Sequence, residues 1–568
     1  MTDTVSWRSQ SRTRARTRAA LAGVIAALVF GVRSPEPAHA APPREAPEDR
    51  EIVEVSAEFN GFLASIDAWD IAAAERRRAS LINRRERELA DGVLAVYTAR
   101  YAEAESILAA LVASFAGGQA ADQANHPIIG RASYYLDIAR GAQLALGDAL
   151  TLRSDDGRVE AVFADPRDAI LAPYLFDAMA AAYVTLGDAI GVHPDHPIRF
   201  EFYDEPGKLA LVTPLTLDNI YTTGTVGICK YRRIMMITPR VMIYGYSWLD
   251  TAVHEYVHYL LTIRTKNAAP VWMQEGLAKL METRWREPGQ KQLSAPIRKL
   301  LHDAIEADEL VTLEQMHPSV AMLPSQELAA LAYAEAETML GLLEEQRGSA
   351  GLAAMLDDVR GGVDAKQAFA DAWGDSFPAF FEVWKRTMRA RTAKPTGPAA
   401  GAISRVAFRG EDDDRDADDP SLNGDVFSHL GGGRARKHAR LGVLLTLRGH
   451  QRAAVIEYEK ARAVDRSVRD DPQLARRLGE LYLELERPAE ALPLLILAGE
   501  HQPSSANLAA AEGRARRLTG DLDGAAAALN RAIQQNPFIP GIHCDLAELA
   551  LEAGDQARAD AERGSCLE

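Results

Sequence analysis

Cysteine is scarce in this 568-residue chain: Cys229, Cys544 and Cys566 are all there is. Three cysteines exclude a fold held by a disulfide framework. Cys544 and Cys566 are close enough in sequence to pair across two C-terminal helices, and pairing and separate thiols both stay open. Basic charge is short as well, with 64 Lys and Arg against 80 Asp and Glu. A net charge of −16 leaves no footprint for nucleic acid. Long hydrophobic runs are missing too. No stretch reaches 18 consecutive apolar residues, so no stable membrane span is expected once the amino terminus is removed.

What is present begins with an export signal. Arg8, Arg12, Arg14, Arg16 and Arg18 make a basic start, and Ala19 to Val32 is an apolar run of 14 residues. Ala38-His39-Ala40 offers a small-x-small cleavage site, so residues 1–40 read as a signal peptide cut after Ala40. Its loss removes six Arg, one Asp and one Glu and leaves a chain near −20. The expected location is periplasmic or extracellular.

Length predicts three to four domains, and 47% apolar with 25% charged residues is ordinary for globular protein. Residues 41–190 read as helical throughout after a Pro- and Glu-rich spacer. Gly92, Tyr97, Tyr101, Ala104, Ile107 and Leu108 fit a tetratricopeptide-like hairpin, and Tyr134, Tyr135, Ile138, Leu144 and Gly147 suggest another. A plain helical bundle fits as well. From residue 191 the period changes. Ile198, Phe200 and Phe202 alternate with Arg199, Glu201 and Tyr203, which predicts a half-buried strand. Tyr231 to Thr238 and Thr223 to Cys229 are two further strand candidates.

The chemistry sits in Trp248 to Ala278. Leu249, Val253, Tyr256, Val257, Leu260 and Leu261 mark a helix, with Ser247 and Asp250 as an expected capping pair and Asn267 and Pro270 as its end. Within it lies H-E-x-x-H: His254, Glu255 and His258. Four residues apart, the imidazoles share one helix face and can grip one metal ion. Glu255 points to an adjacent side and can reach a water there. Catalytic zinc usually has three protein ligands. Glu275 is the next carboxylate on offer, in a segment that Pro270 opens and where Gly276 lets another backbone approach. Taken alone, Glu275 is also what the start of a helix favours.

HEYVH followed by PVWMQEGLA resembles the gluzincin metallopeptidases, in particular the bacterial peptidase MA-like group, over roughly residues 197–389. The resemblance implies an α+β catalytic domain, here 191–393, and one Zn2+ held by His254, His258 and Glu275 with Glu255 as general base. It also implies a sheet edge that pairs with an extended peptide substrate, which would place Thr225, Val226 and Gly227 in the groove; an interior strand is the other reading. Tyr333 would stabilise the oxyanion, with His317 a weaker alternative.

Residues 394–435 read as a linker with Gly and Pro at its start and an acidic run from Glu411 to Asp419. Residues 436–568 repeat. Glu486, Gly520 and Gly554 stand 34 apart, and Gly449 precedes them by 37. Ala454, Ala491, Ala525 and Ala559 follow the turns at matching offset. The pattern resembles tetratricopeptide repeats, which stack into a solenoid and imply a protein partner in the groove. The expected fold is therefore mainly α with a small sheet, flanked by an N-terminal helical domain and a C-terminal α-solenoid. The expected function is hydrolysis of a peptide or protein substrate. The alternatives are a non-catalytic repeat scaffold with a vestigial or structural metal site, and zinc hydrolysis of a cell-wall crosspeptide.

Overall fold

The computed structural model describes residues 55–115, 127–242, 245–287, 289, 292–393, 408, 427–430, 433–464 and 466–567. The export signal, its cleavage site and the acidic run lie outside the described residues.

Five helices come first: α1 (Ala57–Asp67), α2 (Ile71–Ser80), α3 (Arg84–Tyr97), α4 (Tyr101–Ala113) and α5 (Pro127–Leu146). Ser56, Asp70 and Asn83 cap the first three, each side-chain oxygen accepting from backbone N–H groups of the first turn. The first four helices make two hairpins that turn through left-handed residues, Trp69 and Ala99, both at φ 55°. In each, a glycine on the first helix lies against a side chain 16 positions later: Gly61 against Arg77, Gly92 against Leu108. A Cβ at Gly92 would collide with the branch of Leu108, so those two helices cross where the side chain is smallest, whereas at Gly61 it would meet the guanidinium tip of Arg77.

The run is not helical throughout. β1 (Leu150–Arg153) and β2 (Val159–Phe163) form an antiparallel hairpin before α6 (Ala172–Ile190). Strands of four and five residues between long helices are too short to stand out in a helical window. Pro166–Ile190 is long and apolar enough to cross a membrane by length and composition alone. In the fold its Leu175, Ala178, Met179, Ala182 and Leu186 are buried in the core.

Then follow β3 (Ile198–Tyr203), α7 (Pro206–Val212), α8 (Leu217–Thr223), β4 (Gly227–Lys230) and β5 (Arg233–Ile237). The sheet order is β1-β2-β3-β5-β4, with β2, β3 and β5 parallel and an antiparallel strand at each edge. β3 is not half-buried as expected: Glu201 and Tyr203 are both 0% exposed. The N-terminal helices cover the face that would have been wet, and Tyr101 of α4 donates to Glu201 at 2.6 Å. The two other strand expectations are trimmed. Thr223 ends α8, with Gly224 (φ 68°) as its left-handed cap, so the strand starts only at Gly227. Tyr231 and Arg232 form a two-residue turn, with φ 54° and 59°, and β5 starts after it. Positive φ at both positions is the type I′ signature, normally filled by Asn-Gly. Holding non-glycine residues there costs roughly 1–2 kcal/mol each.

The metal-candidate helix α9 (Trp248–Thr265) is followed by α10 (Val271–Met281), α11 (Ala295–Ala307), α12 (Gln326–Arg360), α13 (Ala365–Trp373) and α14 (Phe377–Thr392). Gly276 does bring backbones together: a Cβ there would meet the Ala336 carbonyl oxygen of α12 at 2.6 Å.

Four helical pairs close the chain: α15 (Arg434–Leu447) with α16 (Gln451–Val464), α17 (Pro472–Glu484) with α18 (Pro488–His501), α19 (Ala506–Leu518) with α20 (Leu522–Gln535), and α21 (Pro540–Glu552) with α22 (Gln556–Leu567). The repeat positions Gly449, Glu486, Gly520 and Gly554 are the left-handed turn residues within the pairs, at φ 73°, 58°, 85° and 78°. Gly442 lies against Tyr458, Gly479 against Leu495 and Gly513 against Leu529, the same 16-residue offset as in the N-terminal hairpins. Cys544 and Cys566 are paired, joining α21 to α22.

Candidate metal centre

α9 starts at Ser247, but the expected capping pair does not form. The Ser247 hydroxyl accepts from Gln535 Nε2 at 2.8 Å, and Asp250 is taken by Arg286 and Trp285. Partners from distant elements outcompete the local cap. The helix ends through left-handed Lys266 and Asn267, and Pro270 sits at the N-cap of α10 rather than inside its first turn.

That short connection lays α10 beside α9, and three side chains meet. His254 Nε2 and His258 Nε2 are 3.1 Å apart, and Glu275 Oε2 is 3.2 Å from each. All three donor atoms lie within 4.8 Å of one another. Two ring nitrogens and a carboxylate oxygen facing one point is a donor set that suits zinc. The ring orientation supports the fit. His254 Nδ1 faces Glu282 Oε2 at 3.1 Å, so once the ring is neutral a proton held on Nδ1 leaves the Nε2 lone pair facing the shared point.

Burial works against a charged His254, but the Glu275 and Glu282 carboxylates outweigh it and lift the imidazole to about 9. Burial likewise opposes ionisation of Glu275, and His258 and His254 override it, holding the carboxyl well below its usual range. Glu255 behaves differently. Its burial pushes the carboxyl up, and the two histidines only partly offset this. Its side chain lies against the edge strand, where a Cβ at Gly227 would meet Glu255 Oε1 at 2.9 Å.

Tyr333 of α12 lies edge-on to His254, with ring centroids 6.2 Å apart. Burial raises its hydroxyl pKa well above the ordinary value, and Glu275, Glu255 and Glu282 add to the shift. His317 is exposed. Of the expected groove residues only Gly227 belongs to β4 and touches Glu255. The Thr225 hydroxyl is paired with Thr223 at 2.8 Å, and the Val226 carbonyl accepts from Ile237 N–H at 2.8 Å.

Two residues escaped sequence reasoning. Glu282 closes α10 and orients His254, while Lys279 sits between, 3.0 Å from Glu282 Oε2 and 5.3 Å from the Tyr333 ring centroid. The signal was there for Glu282: seven positions after Glu275 is two helical turns, hence the same face.

Residues 178–390 match the model of a family described as Peptidase_MA_2, of the Peptidase MA superfamily. The matched stretch contains β3, β4, β5 and every donor described above. It gives the chain a peptidase-type domain similar to that superfamily. No curated protein matches. Among solved structures, one titled MamA MSR-1 C2 is 21% identical, covering 23% of this chain and 74% of its own, at a TM-score of 0.22. A second, titled Crystal structure of MamA protein, is 19% identical over 24% of this chain and 73% of its own, also at 0.22. The APC/C hetero-tetramer Cut9-Hcn1 structure is 12% identical over 90% of this chain and 93% of its own, at 0.21.

Proposed function

We propose that the chain is an exported zinc metallopeptidase in which His254, His258 and Glu275 hold one Zn2+, Glu255 is the general base, and the C-terminal repeats bind protein. The observation that carries this reading is the convergence of the three donor atoms within 4.8 Å, beside a buried carboxyl of raised pKa. When bound, zinc supplies Lewis acidity, which makes water more acidic and a peptide carbonyl more electrophilic.

The chain's own groups do the rest. Glu255 holds a proton more readily than an exposed glutamate, which suits a group that takes one from water and returns it to the leaving amine. Glu282 keeps the His254 ring turned with its Nε2 lone pair toward the donors. Tyr333 stays protonated at neutral pH and so has a hydroxyl to donate to developing negative charge on the carbonyl oxygen. The outer edge of β4 receives the extended substrate by main-chain pairing. Because the Thr225 N–H already donates to the Ile220 carbonyl and the Val226 carbonyl accepts from Ile237, the receiving edge in this reading runs from Gly227 onward. The Cys544–Cys566 disulfide supports an oxidising compartment and agrees with export.

The test is hydrolysis of casein by the mature chain, with and without a chelator, beside Glu255→Gln. The variant is expected to keep its zinc and lose about 100- to 10,000-fold in rate. Full activity in the variant, or hydrolysis that survives chelation, contradicts the reading. Purified wall fragments in place of casein separate a protein substrate from a crosspeptide.

A further inference from the structure

The edge strand that meets Glu255 is only four residues long, Gly227 to Lys230. It pairs with β5 alone, from Gly227 opposite Met236 to Lys230 opposite Arg233. Among the described residues its outer side has no strand partner. So short a strand takes its position from what holds its two ends. One end is Gly227, pressed against Glu255 and Thr251. The other is the Tyr231-Arg232 turn, whose two residues both have positive φ.

A turn of that type with no glycine persists only when its surroundings over-determine it. The surroundings here belong to the N-terminal helices. The Tyr231 ring is 1% exposed and stands edge-on to Tyr97 of α3 at 5.8 Å and to Tyr135 of α5 at 6.2 Å. Its hydroxyl is paired with that of Tyr134. The next strand residue, Arg233, places its guanidinium 5.3 Å from the Tyr231 ring centroid and 5.1 Å from that of Tyr101. Arg233 Nη1 donates to the Val96 carbonyl at 3.2 Å, and its Nε lies 3.1 Å from Glu201 Oε2. Three N-terminal helices thus grip the turn, and about 10 Å of strand separates that grip from Glu255.

We propose that Tyr231 is a positioning residue for substrate. Its ring, seated in the Tyr97–Tyr134–Tyr135 socket, holds β4 in register beside Glu255, so the N-terminal helices form part of the substrate-binding frame and are neither propeptide nor spacer. This rests on the peptidase reading, with β4 as the receiving edge.

The experiment compares full-length wild type with Tyr231→Phe, Tyr231→Leu and the pair Tyr231→Asn/Arg232→Gly. Tyr231→Phe keeps the ring and is expected to stay within about threefold of wild type. The Asn-Gly pair relieves the turn but empties the socket. It and Tyr231→Leu are expected to raise KM for an extended peptide at least tenfold, with kcat within about threefold and zinc content unchanged. Hydrogen exchange at the 227–230 amides should quicken in both, while exchange in α9 stays as in wild type. That second readout needs no catalysis, so it judges the inference even if the wild type fails to hydrolyse casein and the peptidase reading falls. An Asn-Gly variant with wild-type KM and wild-type exchange overturns the proposal, because the turn would then suffice without its anchor. Loss of zinc together with both kinetic constants overturns it too, since Tyr231 would then be a core residue with no special bearing on the edge.

Discussion

The two helical flanks of the candidate metal centre are built from the same hairpin, yet they attach to it in different ways. Gly61 and Gly92 in the N-terminal flank and Gly442, Gly479 and Gly513 in the C-terminal one all pack against a residue 16 positions on. The N-terminal hairpins nevertheless share one hydrophobic core with the sheet and with α9 to α14. They also close over Glu201, which meets Arg199, Arg233, Tyr101 and Tyr203 with no exposure to solvent. The C-terminal pairs keep clusters of their own. They reach α9 through a narrow seam, in which the Ile533 carbonyl accepts from Trp248 Nε1 at 2.9 Å and the Gln535 carbonyl from Tyr246 N–H at 3.0 Å. Tyr174 donates to Glu562 at 3.1 Å in the same seam. Internal packing makes a hairpin; the residues on its outer face decide whether it becomes core or appendage.

The sharpest way to break this contrast is to remove each flank. A chain lacking residues 55–146 is expected to lose its cooperative thermal transition, because the sheet would expose one face and leave the Glu201 network open. A chain ending at Val426 is expected to keep both a transition and its metal. Equal outcomes would erase the distinction. Next in size, Glu201→Gln takes the carboxylate from buried Arg233, while half-buried Arg199 keeps Glu160, and should cost about 3–5 kcal/mol in denaturant unfolding.

Glu335 on α12 gives a comparison point that depends on neither flank. It is 1% exposed and accepts one hydrogen bond, from Val311 N–H at 2.9 Å. Burial lifts its carboxyl to about 8. The folded chain therefore binds more protons than the unfolded one between the ordinary glutamate range and about pH 8, and stability falls as pH rises through that window. Glu335→Gln should match wild type near pH 5 and exceed it at pH 9, by on the order of a few kcal/mol. The chain ending at Val426 should show the same pH dependence. The smallest effect belongs to the seam: Tyr174→Phe removes the hydroxyl that meets Glu562 and His543 and should cost about 1 kcal/mol, with no change in zinc content.

Legibility in the sequence followed how local each feature is. His254, Glu255 and His258 were readable because one helical period places them. The solenoid turns at Gly449, Gly520 and Gly554 were readable because they recur. Glu275 depended on resemblance, since nothing in its own segment separates a ligand from a helix-start carboxylate. Glu282 shares a helix face with Glu275, but spacing alone gives it no role until His254 of the neighbouring helix is seen to face it. β1 and β2 were missed because a hairpin of four- and five-residue strands is lost between α5 and α6. Ser247 was misread because a residue nearly 300 positions away, Gln535, claims its hydroxyl. The positive φ of Tyr231 leaves no trace in local pattern, because the socket that enforces it comes from helices more than 80 residues earlier.

The central claim is that side chains of α9 and α10 hold one metal ion. Zinc content of the purified mature chain, measured beside His258→Ala and Glu275→Gln, tests it most directly. The account predicts about one zinc per wild-type chain and less than about a tenth of that in either variant, with thermal transitions still present. Equal zinc in all three, or none in wild type after reconstitution, would contradict it.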